Sequence, residues 1–584
     1  MNAPPVREHR PGAATSAVVN ARLVVRLAGH ETVSFFRTPV AAFFTMGLPL
    51  IMMVIVGAVA GNAVIEARAG VRVMQFVVPV LAVFGVAQAC FGVLALRLTE
   101  LRERGCLKRM RGTPVPAWVL MSGLAGGAAA ISLMIVVLLL GAGVSLYEVR
   151  PVWHRSPALV LTLLVGAGCF TALGFALVTV VRSTAVVQIL ANGLLMALGF
   201  VSDVFVQGEG VFPRWLEIAG WVLPLKHFAN AVGDGLNPLL PGDGPPVDHL
   251  AVLAAWGTGG AVVAVWRFAW DRGPARPAAA RAGGRTRTRP QGRPRGWRLL
   301  TDQIAHANTG LRRDPSSAFF TAVLPVLLLA LFSAIFGDTR IEGLSLPRFM
   351  VAAMTTYALG VACYVNLAGF AARDRERGVL KRLAGTPLPG WAYHAGRVAS
   401  ALWVTLATAA ALTLLGVVVY DVEPRAGMIL PALVAIVLGT ACFAVLGALV
   451  ARVARRESTA NAVTLGTFLP LAFVSGVFPV GGRLPATLET AGDMFPLKHL
   501  AHALTAAVAP VARPWPWADL GVVVAWTLAG TVALVLLRNG EAAVPVSARG
   551  PTRPAAAGGH GDDHDSGRRG AASAGGVGRR RRRC

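Results

Sequence analysis

The sequence predicts an all-α polytopic membrane protein: two six-helix transmembrane units in parallel tandem repeat, about 12 transmembrane helices in total. Three observations predict it. First, 55% of the 584 residues are hydrophobic and only 14% are charged, with a mean hydropathy of +0.61. A soluble protein of this size carries about 25% charge. Second, the apolar residues cluster in runs of about 20, the length that spans a bilayer core. A transmembrane barrel would instead alternate apolar and polar residues over about ten positions. Third, Arg102-Glu-Arg-Gly-Cys-Leu-Lys-Arg-Met-Arg-Gly-Thr-Pro-Val-Pro-Ala-Trp118 returns as Arg375-Glu-Arg-Gly-Val-Leu-Lys-Arg-Leu-Ala-Gly-Thr-Pro-Leu-Pro-Gly-Trp391, with 12 of 17 positions identical at an offset of 273.

Taken in order, residues 1–17 are expected to lack structure, and 18–270 to form the first unit. Val18 to Phe36 mixes apolar side chains with Arg22, Arg26 and His30, as a helix lying on the membrane surface does. Arg37-Thr-Pro39 then punctuates the chain before the first span. Six spans follow, at 41–60, 74–96, 119–146, 158–181, 185–206 and 249–269. An Arg/Pro-rich linker, 271–297, leads to the second unit, 298–538. Its surface helix ends at Arg313-Asp-Pro315, and its spans lie at 318–336, 349–372, 392–420, 427–451, 459–480 and 516–537. A basic tail, 539–584, is expected to be disordered. The fourth spans share Gly166-Ala-Gly-Cys-Phe-Thr-Ala-Leu-Gly174 and Gly439-Thr-Ala-Cys-Phe-Ala-Val-Leu-Gly447, small residues that let helices approach closely.

Charge sets the expected orientation. The loops after the second and fourth spans, the linker and the tail are rich in Arg, which places them and both termini on the cytoplasmic side of the plasma membrane. The linker carries eight Arg against one Asp, and the tail nine Arg against four acids. Both flank membrane helices, so the formal charge of +26 reads as contact with anionic lipid and not with nucleic acid. An even span count per unit puts the pseudo-two-fold axis along the membrane normal. Cys90 and Cys363, and Cys169 and Cys442, pair at the repeat offset inside apolar runs, which reads as helix packing and not as a disulfide or a metal site. His560-Gly-Asp-Asp-His564 could bind a metal but lies in the tail.

All four lysines fall in repeated motifs: Lys108 with Lys381, and Lys226 with Lys498. In the first motif Glu100 and Arg104 can pair on a helix continuing out of the membrane. Gly105 and Gly378 permit a sharp turn. Leu107 and Met110, or Leu380 and Leu383, give an apolar edge, and Thr113-Pro114 or Thr386-Pro387 open the next span. The second motif, Leu223-Pro224-Leu-Lys226-His227 and Phe495-Pro496-Leu-Lys498-His499, lies before the last span in the outer loop. It reads either as an external gate or as an interfacial anchor with lysines snorkelling to headgroups.

These residues resemble the ABC type-2 transporter permeases, drug and antibiotic exporter branch. The basic loop, the leading surface helix, six spans and Pro-Leu-Lys-His before the last helix all match, twice over. Such permeases usually carry one unit per chain and dimerise, so the resemblance implies an internal pseudo-dimer. It implies that Arg102, Glu103, Arg104, Gly105, Lys108 and Arg109, with Arg375, Glu376, Arg377, Gly378, Lys381 and Arg382, form coupling helices that dock on two copies of a separate ATP-binding subunit. It implies a central cavity lined by the second and fifth helices, with Gln188, Asn192, Phe200, Ser202 and Asp203 from one unit and Asn461, Thr464, Thr467, Phe473 and Ser475 from the other.

The sequence holds no Gly-x-x-x-x-Gly-Lys-[Ser/Thr] phosphate loop. This chain is therefore expected to bind no cofactor and catalyse nothing, with ATP and Mg handled by the partner. The expected function is export of a hydrophobic or amphipathic compound. Lipid or glycan export is the alternative. An ion-coupled transporter would place ionisable residues at mid-span, and those positions hold almost no Asp or Glu. A non-transporting membrane component would call for a large outer domain, and no outer loop is long enough.

Overall fold

A computed structural model describes residues 13–60, 64–66, 71–202, 204, 214–238, 245–267, 296–336, 339–341, 343–423, 425–454, 456–478, 485–509 and 515–542. The linker (apart from its last two residues), nearly all of the tail and Asp203 lie outside the described residues.

Each half folds into ten helices in the same order. The first half has α1 (Ala13–Phe36), α2 (39–60), α3 (Met74–Glu103), α4 (Cys106–Arg111), α5 (Ala117–Tyr147), α6 (Trp153–Val180), α7 (Thr184–Val201), α8 (Arg214–Val222), α9 (Pro224–Leu236) and α10 (Val247–Arg267). The second has α11 (Gly296–Arg312), α12 (Pro315–Phe336), α13 (Leu346–Glu376), α14 (Val379–Ala384), α15 (Gly390–Tyr420), α16 (Ala426–Val453), α17 (Glu457–Val474), α18 (Ala486–Asp493), α19 (Pro496–Val508) and α20 (Trp517–Ala542). Helices therefore occupy all twelve expected span positions. Ten are long and apolar enough to cross a membrane unaided. The others are α2, whose apolar core is Thr45–Ala58, and α17, which has 18 residues and carries Pro470.

Several boundaries move for physical reasons. Helix α1 begins at Ala13, inside the stretch expected to lack structure. Helices α3 and α13 run on to Glu103 and Glu376, well past the expected ends at 96 and 372, so their charged last turns project beyond the apolar run. Helices α7 and α17 stop at Val201 and Val474 instead of 206 and 480, because Ser202 leaves helical geometry and Gly476 takes φ 69° two residues after α17 ends. Two hairpins, β1–β2 (Val64–Glu66, Val71–Arg72) and β3–β4 (Arg340–Ile341, Leu344–Ser345), join the first and second spans of each half, and no periodicity announced them.

Packing follows the repeat. α3 contacts α5 and α9, and α13 contacts α15 and α19. The apolar stretches of α3 and α13 are both 83% buried, whereas those of α10 and α20 are 11% and 17% buried. The second spans are the axle of the bundle and the sixth its rim. Leu133, Val137, Leu164 and Val418 of the third and fourth spans, with Val265 and Leu536 of the sixth, are exposed, as a lipid-facing belt requires. The small residues of the fourth spans let backbones meet: a Cβ on Gly174 would lie 2.9 Å from the Cys90 carbonyl oxygen, and one on Gly447 2.9 Å from that of Cys363. Cys90, Cys169, Cys363 and Cys442 are buried and unpaired.

The halves join reciprocally. The start of α2 packs on α17, and the start of α12 packs on α7. Phe200 of one half meets Phe332 of the other edge to face, ring centroids 4.9 Å apart.

Candidate functional site

At the end of each second span the chain reverses through Gly105 or Gly378, both at φ 69°, a left-handed conformation that costs a side-chain-bearing residue about 1 kcal/mol. The six-residue helices α4 and α14 follow. Thr113 and Thr386 close them by donating to the carbonyls of Met110 (2.6 Å) and Leu383 (2.7 Å), and Pro114 and Pro387 lead exposed into the next spans.

The repeated charges of this turn divide into two sets. One set holds the turn to its own bundle. Arg102 donates to the Val178 carbonyl at 2.7 Å, at the end of α6, and Arg375 donates to the carbonyls of Ala451 and Ala454 near the end of α16. These are carbonyls that a helix terminus leaves unsatisfied. Glu103 accepts from the Thr184 amide at 3.0 Å and Glu376 from the Glu457 amide at 3.3 Å, capping the next helices where the dipole favours a carboxylate. The other set points outward: Arg104, Lys108 and Arg109, with Arg377, Lys381 and Arg382. Glu100 and Arg104 do pair, at 3.4 Å. Leu107 belongs to the core at 1% exposure and so is unavailable as an apolar edge, while Met110, Leu380 and Leu383 stay half-buried.

At the opposite end, the expected outer loops contain helix pairs, α8–α9 and α18–α19, with Pro224 and Pro496 in the first turn of α9 and α19. Lys226 and Lys498 are buried and do not snorkel. Lys226 lies over the Trp221 ring, 4.9 Å from its centroid, and Lys498 pairs with Asp493 at 2.6 Å. That contact holds the Asp493 carboxyl below its ordinary value. His227 contacts His249 at 2.9 Å and the Trp221 carbonyl at 2.8 Å; His499 contacts Asp519 at 2.7 Å and the Asp493 carbonyl at 2.9 Å. The motif thus wedges a buried helix between spans in both halves.

Between the halves lies a cavity of about 720 Å³. Gln188, Asn192, Phe200, Asn461 and Phe473 line it, together with Phe84, Gln88, Tyr357 and Val361 from the second spans. Four expected wall residues do not, and one of them, Thr467, donates to its own helix at the Val463 carbonyl, 2.7 Å away. Ser202 and Ser475 sit just past the ends of their helices with buried, unsatisfied hydroxyls, and Thr464 is buried and donates to its own helix at the Ala460 carbonyl, 2.9 Å away. The cavity also has walls that sequence reasoning missed. The first spans contribute Leu48, Met52, Phe320, Leu324, Leu328 and Phe332. Five of the six lining helices contain a wide π-helical turn, at Phe43–Gly47, Gln88–Val93, Ile189–Leu194, Phe319–Val323 and Val361–Asn366, and the sixth, α17, has Pro470. Such turns cluster at functional positions.

One end of the cavity, beside the basic turns, holds the cluster Asp314–Arg373–Glu457. Arg373 donates to Asp314 Oδ2 at 3.1 Å and to Glu457 Oε1 at 2.7 Å. Asp314 also caps α12, accepting from the Ser316 hydroxyl at 2.8 Å and the Ser317 amide at 3.3 Å. Burial pushes its carboxyl up, but these bonds and the Arg373 charge outweigh burial and hold it below the ordinary value. The mismatch of Thr38-Pro39 with Asp314-Pro315 was the available signal for this cluster.

A membrane bundle of two matched halves around one apolar cavity, with paired basic turns at one end, defines a transport protein. The model of the ABC-2 type transporter family matches residues 22–236 and again 305–508, so the chain belongs to that family. Nothing among curated proteins or solved structures matches it. The chain is a multi-pass membrane component of an ABC transporter, a transport subunit of the kind that works with an ATP-binding subunit.

Proposed function

We propose that this chain is a pseudo-dimeric permease that exports a hydrophobic or amphipathic compound across the plasma membrane, powered by two copies of a separate ATP-binding subunit. The observation that carries this reading is the cavity of about 720 Å³ built reciprocally from both halves. Its wall is mostly aliphatic and aromatic with a few amides, the make-up of a site for drug-sized amphipathic molecules. A glycan would call for dense hydrogen bonding. The basic ends of the bundle and both termini lie in the cytoplasm in this reading, 18–270 and 298–538 are the two units, and the linker and tail rest on anionic lipid. The partner subunits bind ATP and Mg and close on each other.

Force enters through the outward set of the two turns, Arg104, Lys108, Arg109, Arg377, Lys381 and Arg382. The inward set, Arg102, Glu103, Arg375 and Glu376, passes it on, because these residues bind each turn to the ends of the fourth and fifth spans. Motion of a turn therefore moves a cavity-lining helix. Arg104→Glu combined with Arg377→Glu is expected to abolish ATP-driven transport while leaving the detergent-purified protein monodisperse. Transport at the unaltered rate by that variant would refute docking at these turns.

A further inference from the structure

The cavity is symmetric in shape but not in charge. Its aromatic wall includes Phe84, Phe200, Phe332, Tyr357, Phe468 and Phe473, from both halves. The described residues lining it include three charged side chains, Asp314, Arg373 and Glu457. All three come from the second half. The repeat puts Thr38, Glu100 and Thr184 at the corresponding positions of the first half, and none of these lines the cavity. The correspondence is structural as well as sequential, because the amides of Thr184 and Glu457 donate to the matched carboxylates Glu103 and Glu376. The first half uses its own ion pair elsewhere: Arg97 binds Glu31 of α1 at 2.6 Å, away from the cavity.

Two carboxylates against one guanidinium leave one formal negative charge at the mouth. Arg373, the one cationic side chain on the wall among the described residues, is engaged on both sides. Both of its bonds to Glu457 go to Oε1. Past the basic turns, an anion would meet an apolar wall whose described residues offer no cation other than this engaged one, with two carboxylates beside it. A cation would meet a net negative mouth and the negative faces of several aromatic rings, each favourable where water is excluded.

We propose that the cavity selects an amphipathic cation, an aromatic or aliphatic body bearing one positive charge, and that Asp314 and Glu457 determine this preference. The proposal rests on the reading of the cavity as the transport site. Its charge-bearing end docks toward the Asp314–Arg373–Glu457 mouth, and its body lies among the phenyl rings.

The test is equilibrium binding to the purified full chain in uncharged detergent, with binding to empty micelles subtracted. Three probes share a tetraphenyl shape and differ in charge: tetraphenylphosphonium, tetraphenylborate and neutral tetraphenylsilane. The unaltered chain should bind the cation at least about tenfold more tightly than the anion, the effect of one well-placed charge. Asp314→Asn with Glu457→Gln leaves Arg373 unopposed, so the order should invert: the cation weakens about tenfold, the anion strengthens and the neutral probe is unmoved. Equal weakening of cation and neutral probe, or no cation preference in the unaltered chain, overturns the proposal while leaving the cavity a binding site. If no probe binds the unaltered chain, the transport-site reading falls with it. Should the variant fail to fold and lose all three probes, the cation-to-anion ratio of the unaltered chain decides alone.

Discussion

The two halves share a backbone and differ in where they place their polar groups. In the first half Gln88 and Asn192 bond across the cavity wall at 2.6 Å, where the second half has Val361 and Leu465. In the second half Asn366 bonds Thr321 at 2.8 Å, where the first half has Val93 and Thr45. Arg97 ties a span to the surface helix in one half, while Arg373 ties three cavity-lining segments together in the other. What is repeated is the machinery of packing and turning: the Gly of the fourth spans, the Gly–Thr–Pro turn, and the Arg and Glu that staple it. What differs is the lining. A fused pair of units can let its two cavity walls diverge, because each is encoded separately. Two copies of one unit could not.

This contrast can be broken experimentally. The largest effect is expected where the halves agree. Gly174→Leu and Gly447→Leu each push a side chain into backbone 2.9 Å away, and each should cost about 3 kcal/mol of stability in detergent unfolding. A large difference between the two would show that the halves do not pack alike. A smaller effect is expected where they differ. Arg373→Gln leaves Asp314 and Glu457 facing each other unpaired and should cost about 1–2 kcal/mol, discounted for partial exposure. Glu100→Gln, at the matched position, breaks only two long, part-exposed pairs, at 3.6 and 3.4 Å, and should cost less than about 0.5 kcal/mol. Equal costs would remove the asymmetry on which the charge argument stands.

Much of this fold was legible beforehand, because spans are read from length and composition and the repeat is read from identity. The apolar run of α3 marked a span, yet Arg97, Glu100 and Arg102 hid its last turns, since charge reads as loop until a partner is seen. Ser202 and Ser475 looked like wall residues because they sit in an apolar run; only the termination of α7 and α17 before them moves them off the wall. The contribution of the first spans was invisible. Leu48, Met52, Leu324 and Leu328 look the same in sequence whether they face lipid, core or cavity, and only tertiary placement separates these. Lys226 and Lys498 were visible as special, but their burial depended on Trp221 and Asp493, which the sequence did not connect to them.

A further modest effect is an acid dependence carried by Asp314. The native carboxyl of Asp314 titrates below its ordinary value, so the stability it adds is present above about pH 4 and is lost as pH falls through its depressed native value. Asp314→Asn should therefore be less stable than the unaltered chain at pH 6 by about 1 kcal/mol or less, and the gap should close as pH falls toward 3. A gap independent of pH would assign the loss to packing. Thr38, at the matched position of the first half, has nothing to titrate.

The most direct test of one cavity shared by two halves is a reversible bond across it. Phe200→Cys with Phe332→Cys replaces two rings whose centroids are 4.9 Å apart, one from each half. A cleavable bifunctional thiol reagent, long enough to span the space the two rings fill, should join the two halves, shown as fragments that stay together after proteolysis of the linker and separate on reduction. ATP-driven transport should stop on cross-linking and return on reduction. Full-rate transport with the bond formed, or failure of the bond to form in a folded chain, would contradict a single working cavity between the two halves.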